Sequence, residues 1–333
     1  MLIPVLSALF LSSIAPAEPS SSLARADRQA IVESLSEAID AYHFSPDVRA
    51  RYRHSLETID IAQAPAGPAP FALFLHRRLQ AVEADGHMGV YGPDRTAGIL
   101  GTAEFRDEES AHVSGEPSDL QGPDGDAIEQ GRSTEQSLPE VAPGIRLWRL
   151  EDFSTDTLDR AGIESRLGAL RSGEALILDL RDNRGGEARL FRWMAGCLFA
   201  EPTPVYAIEI RIAEGSQLTR RGATPSAACR SAADRPMAVL VNGMTASTAE
   251  LAAFVLQARG RARIIGSRTY GASHAAEFYP LAHGFGAMIP IGRTFDPLTG
   301  DDWEGNGVVP DLQVDPDGAL DAAIADLAIR TGP

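Results

Sequence analysis

Two short runs constrain this chain more than anything else in it: "ALILDL" (Ala175 to Leu180) and "MAVLVN" (Met237 to Asn242). Each is apolar at nearly every position, without the alternation of a half-solvated strand, and each has strand length rather than helix length. Such runs are strands covered on both faces, as in a mostly parallel sheet with helices on either side. The neighbouring sequence supplies the helices. "IESRLGALRSG" precedes the first run, "RLFRWMAGCLF" follows it and "TAELAAFVLQARG" follows the second, while "IRLWRL", "VYAIEIRIA", "RIIGS" and "GAMIPIG" add strands. The expected fold class is α/β, a mostly parallel central sheet with flanking helices over residues 145–333. Ligands bind such sheets at the carboxyl ends of the strands, where strand turns into helix.

The sequence before residue 145 differs in character. "ADRQAIVESLSEAIDAYHF" carries Ile31, Leu35, Ala38, Ile39 and Tyr42 at helical spacing, Pro46 and "APAGPAP" interrupt the pattern, and "FALFLHRRLQAVEA" resumes it. A small N-terminal helical domain of three helices is expected over residues 24–86. Residues 87–144 form a connector, and its 107–143 stretch, rich in Gly, Ser, Pro and acid, reads as a long surface loop in which His112 is solvated. At the N-terminus an apolar run from Leu2 to Ile14 ends in Ala15-Pro16-Ala17, a small-x-small pattern for signal cleavage over residues 1–17, although no Arg precedes Arg25. Export to a periplasmic or secreted location is expected, with no stable membrane span after cleavage.

Charge narrows the partners. The 333 residues carry a formal charge of −16 at pH 7, and their 30 basic residues are all arginine because the chain has no lysine. Phosphate backbones and anionic lipid are repelled, so nucleic acid is excluded as a partner. With only Cys197 and Cys229, a zinc cage or a disulfide scaffold is also excluded. In an exported protein one Cys197–Cys229 disulfide is reasonable; two buried thiols are the alternative.

Four stretches hold candidate chemistry. "NGMTASTAEL" places Ser247 at a strand-to-helix turn, where the next N–H, that of Thr248, is free to face an oxyanion. Taken alone it also reads as helix capping, with Glu250 completing a capping box. "LDLRDNRGG" ends a buried strand in a Gly185-Gly186 pair that presents backbone N–H groups, or simply makes a turn. "EADGHMGV" brings His87 to the join of the two parts, and "TGDDWEGNGVVPD" brings Glu304 beside Trp303. Singly, a lone histidine is a structural residue and a loop carboxylate a solvated one.

Together and in this order, "ALILDLRDNRGG", "PMAVLVNGMTASTAELAAFVLQ", "RIIGSRTYGAS" and "WEGNGVVPDLQV" resemble the catalytic domain of the tail-specific (C-terminal processing) serine protease family. The resemblance implies a ClpP/crotonase-like core, Ser247 as nucleophile, and an oxyanion site from Gly185, Gly186 and Thr248. It implies no metal or organic cofactor and a peptide or polypeptide substrate. One branch of that family uses a Ser–Lys dyad with its lysine in a "T-x-G-K" turn. Here the turn reads "TYGAS", with Ala272 at that place, and a chain without lysine has no such dyad. The other branch, that of the tricorn core and the interphotoreceptor retinoid-binding protein-like modules, takes a histidine from "D-x-H" and a glutamate from "W/I-E-x-x-G-V-x-P-D". This sequence has both, as "DGH" (Asp85 to His87) and "WEGNGVVPD" (Trp303 to Asp311). The resemblance thus implies His87 as general base and Glu304 as the carboxylate that holds its imidazolium. Gly86 stands where the tricorn core has a supporting serine, and His274 is an alternative base. The 57 residues between His87 and Ile145 are too few and too polar for the peptide-binding insert of the dyad branch. The competing expectation is an inactive module on the same scaffold that binds retinoid, lipid or peptide; an esterase or amidase on a small substrate is a third.

Overall fold

The computed structural model describes residues 22–101, 138–212 and 215–330. The segment read as a signal peptide, His112 and all but the last residues of the acidic stretch lie outside these. Three helices come first: α1 (Arg25–Tyr42), α2 (Pro46–Glu57) and α3 (Pro68–Gln80). Ser45 caps α2 by accepting the Val48 N–H, and prolines open α2 and α3 at the position where a missing N–H costs nothing. A short strand β1 (Gly89–Tyr91) and helix α4 (Pro93–Leu100) follow.

The second part contains the central sheet. Strands β3 (Ile145–Arg149), β4 (Ala175–Asp179), β7 (Met237–Val241), β8 (Arg263–Gly266) and β11 (Leu312–Gln313) are mutually parallel, and β2 (Glu140–Ala142) adds an antiparallel edge, in the order β11-β8-β7-β4-β3-β2. β4 and β7 are buried at every residue, as their uninterrupted apolar runs demand. Alternate side chains serve two cores. Leu176, Leu178, Val239, Val241 and Ile264 pack on α5 (Arg160–Gly168), α6 (Ala188–Leu198) and α7 (Thr248–Ala258), while Ile177, Ala238, Leu240 and Ile265 pack on α8 (Ala319–Arg330). Each fully buried Leu or Ile contributes about 1.5–3 kcal/mol relative to exposure.

A second sheet is antiparallel, in the order β1-β10-β5-β6 with β9 also on β10. It contains β5 (Thr203–Ile212), β6 (Gly215–Ala223), β9 (His274–Pro280) and β10 (Gly286–Phe295). "VYAIEIRIA" and "GAMIPIG" are therefore strands, but of this sheet and not of the parallel one. Its β10 supplies Ala287 and Ile289 to the core of the N-terminal helices, beside Phe71, Leu75 and Phe285. The helices are thus sealed by a strand contributed from the far end of the chain, which ties the turn carrying His87 to the second part.

Cys197 on α6 and Cys229 form a disulfide, both fully buried. It closes a loop over a sequence separation of 32. In the chain-entropy account a loop of that size stabilises by about 3–4 kcal/mol. Replacing both cysteines with alanine is therefore expected to lower the free energy of unfolding by that amount, read as a lower urea midpoint with a steeper denaturant slope, because the unfolded chain without its cross-link exposes more surface.

Candidate active site

Ser247 sits between β7 and α7 with φ 54° and ψ −122°. Positive φ is rare for a residue with a Cβ and persists only where the surroundings enforce it. The enforcing contacts are on both sides. Buried Thr245 accepts the Asn242 N–H and donates its hydroxyl to the Leu180 carbonyl at 2.8 Å, so the turns after β7 and β4 are bolted together. The Ala246 N–H donates to the Asn183 carbonyl at 3.0 Å. On the helix side, Glu250 reaches back to the Ser247 N–H at 3.0 Å.

Glu250 does more than cap. Fully buried, it also accepts the Thr269 hydroxyl, the Gly271 N–H at 2.6 Å and the Ala272 N–H at 2.8 Å. One carboxylate thus holds both the serine turn and the 269–272 loop. Burial pushes its pKa up, and these four donors work in the opposite direction. The sequence signals only the cap, since nothing local to "TASTAE" announces a loop some twenty residues on.

The glycine pair lies against the serine. A Cβ on Gly185, whose φ is +102°, would fall 2.7 Å from the Ser247 Cβ and 2.8 Å from the Thr248 nitrogen, so only glycine fits. The Gly185 N–H itself is taken, donating to Asn183 Oδ1 at 2.8 Å. Among the described residues the N–H groups of exposed Gly186 and of Thr248 donate to nothing, and the Thr248 hydroxyl fixes the two segments by donating to the Gly186 carbonyl. Both N–H groups, on the two segments that meet at the serine turn, are thus left available to a further acceptor.

His87 arrives from the helical side. Gln80, the last residue of α3, donates to the carbonyls of Asp85 and Met88, and buried Met88 anchors the turn as the chain enters β1. Asp85 Oδ1 accepts the His87 N–H at 2.8 Å. The imidazole Nε2 then stands 3.3 Å from Ser247 Oγ, although the two residues are 160 apart in sequence. Burial lowers the pKa of His87 below its ordinary 6.5, and the Asp85 charge only partly offsets this. The ring is neutral at neutral pH, with its Nδ1 buried and unpaired.

Glu304 is close by but not on that ring. Its Oε2 accepts the N–H groups of Ser273 at 2.6 Å and His274 at 3.0 Å and lies 3.6 Å from His274 Nδ1; its Oε1 is buried and unpaired. No hydrogen bond joins Glu304 to His87 among the described residues. Oε2 is committed to the backbone of 273–274, while Oε1 and the His87 Nδ1 are both buried without a partner. His274 Nδ1 is 2.8 Å from Asp85 Oδ2, so this second histidine faces Asp85 and Glu304, whereas His87 faces Ser247. Asp85, His274 and Glu304 thus form one polar cluster, their facing atoms within 4.8 Å of one another. Ala272 is buried, and its Cβ would lie 3.0 Å from a Cβ placed on Gly86. A Cβ there would also meet the Tyr270 ring at 2.6 Å, so the tyrosine fills the space a serine at 86 would need.

The sequence pattern of peptidase family S41 matches residues 145–314, just over half of the chain. The chain belongs to peptidase family S41. Among S41 relatives, the carboxyl-terminal-processing protease of Synechocystis is 29% identical over 180 residues, covering 54% of this chain and 40% of that protein. The chloroplastic carboxyl-terminal-processing peptidase 1 of Arabidopsis thaliana is 30% identical over 137 residues, covering 41% of this chain and 27% of that protein. The aligned part is thus well under half of either relative. In three dimensions the photosystem II D1 C-terminal processing protease superposes with a TM-score of 0.56 at 18% identity, covering 92% of this chain and 98% of that one. Mature CPAF complexed with lactacystin gives 0.59 at 12% identity, with the same two coverages. Both likenesses concern the fold. They extend the S41 architecture beyond residues 145–314 to the N-terminal helices.

Proposed function

We propose that this S41 chain is an exported serine endopeptidase that hydrolyses peptides or unfolded polypeptide through an acyl-enzyme on Ser247. The observation that carries the reading is the 3.3 Å approach of a neutral His87 Nε2 to a conformationally strained Ser247. A serine hydroxyl is too weak an acid to ionise by itself at neutral pH and needs such a base. His87 Nε2 takes the proton as Oγ adds to the scissile carbonyl. The oxyanion accepts the N–H groups of Gly186 and Thr248, with Gly185 shaping the turn. The imidazolium then protonates the leaving amine, and water attacking the ester repeats the sequence. Glu304 is the site's orienting carboxylate, coupled to His87 through the Asp85–His274 pair. With no lysine in the chain, the histidine-dependent branch of the family is the one these residues fit.

Export is supported by the apolar run at residues 2–14 and by the Cys197–Cys229 disulfide, which oxidising compartments sustain. Among the described residues no helix is long and apolar enough to cross a membrane.

The test is hydrolysis of an unfolded polypeptide by the purified chain, with new termini located by mass spectrometry. The pH profile follows from the base. Burial holds the His87 pKa below 6.5, and only the neutral ring accepts a proton. kcat/KM is therefore expected to fall with decreasing pH only once pH drops below 6.5, and an acid limb centred above 6.5 contradicts His87 as the base.

A further inference from the structure

The mechanism above uses His87 and leaves a second buried histidine unexplained. His274 opens β9, across from Arg293 of β10, and its ring packs edge-on against Phe44 with centroids 4.8 Å apart. Nδ1 points at Asp85 Oδ2, at 2.8 Å, and lies 3.6 Å from Glu304 Oε2. Asp85 is 2% exposed, and its other oxygen holds the backbone N–H of His87. Two carboxylates this close in a buried site repel, and the repulsion is relieved either when one takes up a proton, the direction in which burial and the Asp85 charge push Glu304, or when a positive charge stands between them. The imidazole is the group so placed. The backbone contributes as well, since the His274 N–H and the Ser273 N–H both donate to Glu304. The result is one connected path from Glu304 to His274 to Asp85 to the turn that carries His87.

We infer that His274, carrying a proton, is a positioning residue for the hydrolysis: it clamps Asp85 and Glu304 together and so fixes the turn that presents His87 to Ser247. This rests on the reading of Ser247 and His87 given above. The groups facing the ring are His43 beyond α1, Asp85 and His87 on the turn after α3, and Asp302 and Glu304 after β10, with Arg293 neutralised by Asp302 at 2.7 Å. Burial opposes charging His274, but its hydrogen bond to Asp85 and the charges of Asp85, Glu304 and Asp302 outweigh it, so its pKa is raised above 6.5. His87 moves the other way, and a protonated neighbour helps to keep it neutral. The two histidines therefore bound a pH window. Activity falls below it as His87 gains a proton and above it as His274 loses one.

The experiment measures kcat and KM on a fluorogenic peptide over about pH 5 to 9 for the wild type, His274→Gln and Asp85→Asn, and follows the His274 imidazole by NMR in the Ser247→Ala chain. The expected result is a two-sided wild-type profile. His274→Gln should lower kcat about 10- to 100-fold with KM within about twofold, the scale of a misplaced catalytic group, and should remove the upper limb. Asp85→Asn should move the upper limb to lower pH by about one unit or more, since it removes a contacting opposite charge. His274→Gln activity within about twofold of wild type, or an unchanged upper limb, overturns the inference. If His274→Gln does not fold, the titration decides: a His274 resonance with its midpoint above 6.5 supports the clamp, and one at or below 6.5 overturns it. An inactive Ser247→Ala beside an unaffected His274→Gln removes the clamp alone, whereas an active Ser247→Ala removes the serine reading with it.

Discussion

Ser247→Ala is expected to lower kcat/KM for peptide hydrolysis by about 10,000-fold or more, the scale on which loss of a serine nucleophile acts elsewhere. The fold should survive. Ser247 is held by backbone bonds, its N–H on Glu250 and its carbonyl on the Leu251 N–H, and alanine keeps both. The oxygen removed is within reach of His87 alone among the polar contacts in this part of the site. Thermal unfolding should therefore move by less than about 1 kcal/mol, as for a substitution that opens no cavity and strands no buried group. Turnover near the wild-type level in Ser247→Ala, with the fold intact, removes the acyl-enzyme account.

The second large effect is one of stability and activity together. Glu250→Ala leaves the Ser247, Gly271 and Ala272 N–H groups and the Thr269 hydroxyl without their shared acceptor in a fully buried place. Each stranded buried donor costs about 1–3 kcal/mol, and partial relaxation brings the expected total to roughly 3–5 kcal/mol. The serine turn loses its hold on the 269–272 loop at the same time, so the positive φ of Ser247 is enforced from the β7 side alone. Chemical denaturation should show the destabilisation, and kcat should fall at temperatures where the variant remains folded. Glu250→Gln keeps the size and loses the charge, and should lie between the two. A Glu250→Ala chain as stable as wild type means the carboxylate is only a helix cap, worth about 1 kcal/mol.

Much of the fold is legible in the residues because its central strands carry an unmistakable pattern. "ALILDL" and "MAVLV" are apolar throughout, and both strands are buried throughout. The antiparallel sheet is harder to read. β6, "GSQLTRRGA", has four exposed positions and two arginines, and its place comes from pairing with β5 rather than from its own propensity. Helix α8 is legible as an Ala/Leu/Ile-rich end only once a second face of the sheet is known to need cover. At the site, Ser247, the glycines and His87 are carried by local motifs, and their meeting is a matter of topology. The split between the two glycines is not local. Asn183 takes the Gly185 N–H through its side chain, which leaves that of Gly186 available. Nor is the commitment of Glu304 to the 273–274 backbone, because it depends on how β9 starts. Side-chain chemistry can be listed from a sequence, but hydrogen-bond competition is decided only after folding.

The central claim is that His87 activates Ser247, and the most direct measurement is covalent labelling by a serine-directed fluorophosphonate, with the modified residue located by peptide mass spectrometry. The account predicts one adduct per chain, on Ser247, forming at least about 100-fold more slowly in His87→Ala, the lower end of what a general base contributes. Absence of any adduct at Ser247 in the folded wild-type chain, or labelling at an unchanged rate without His87, contradicts it and leaves a scaffold that binds rather than cuts.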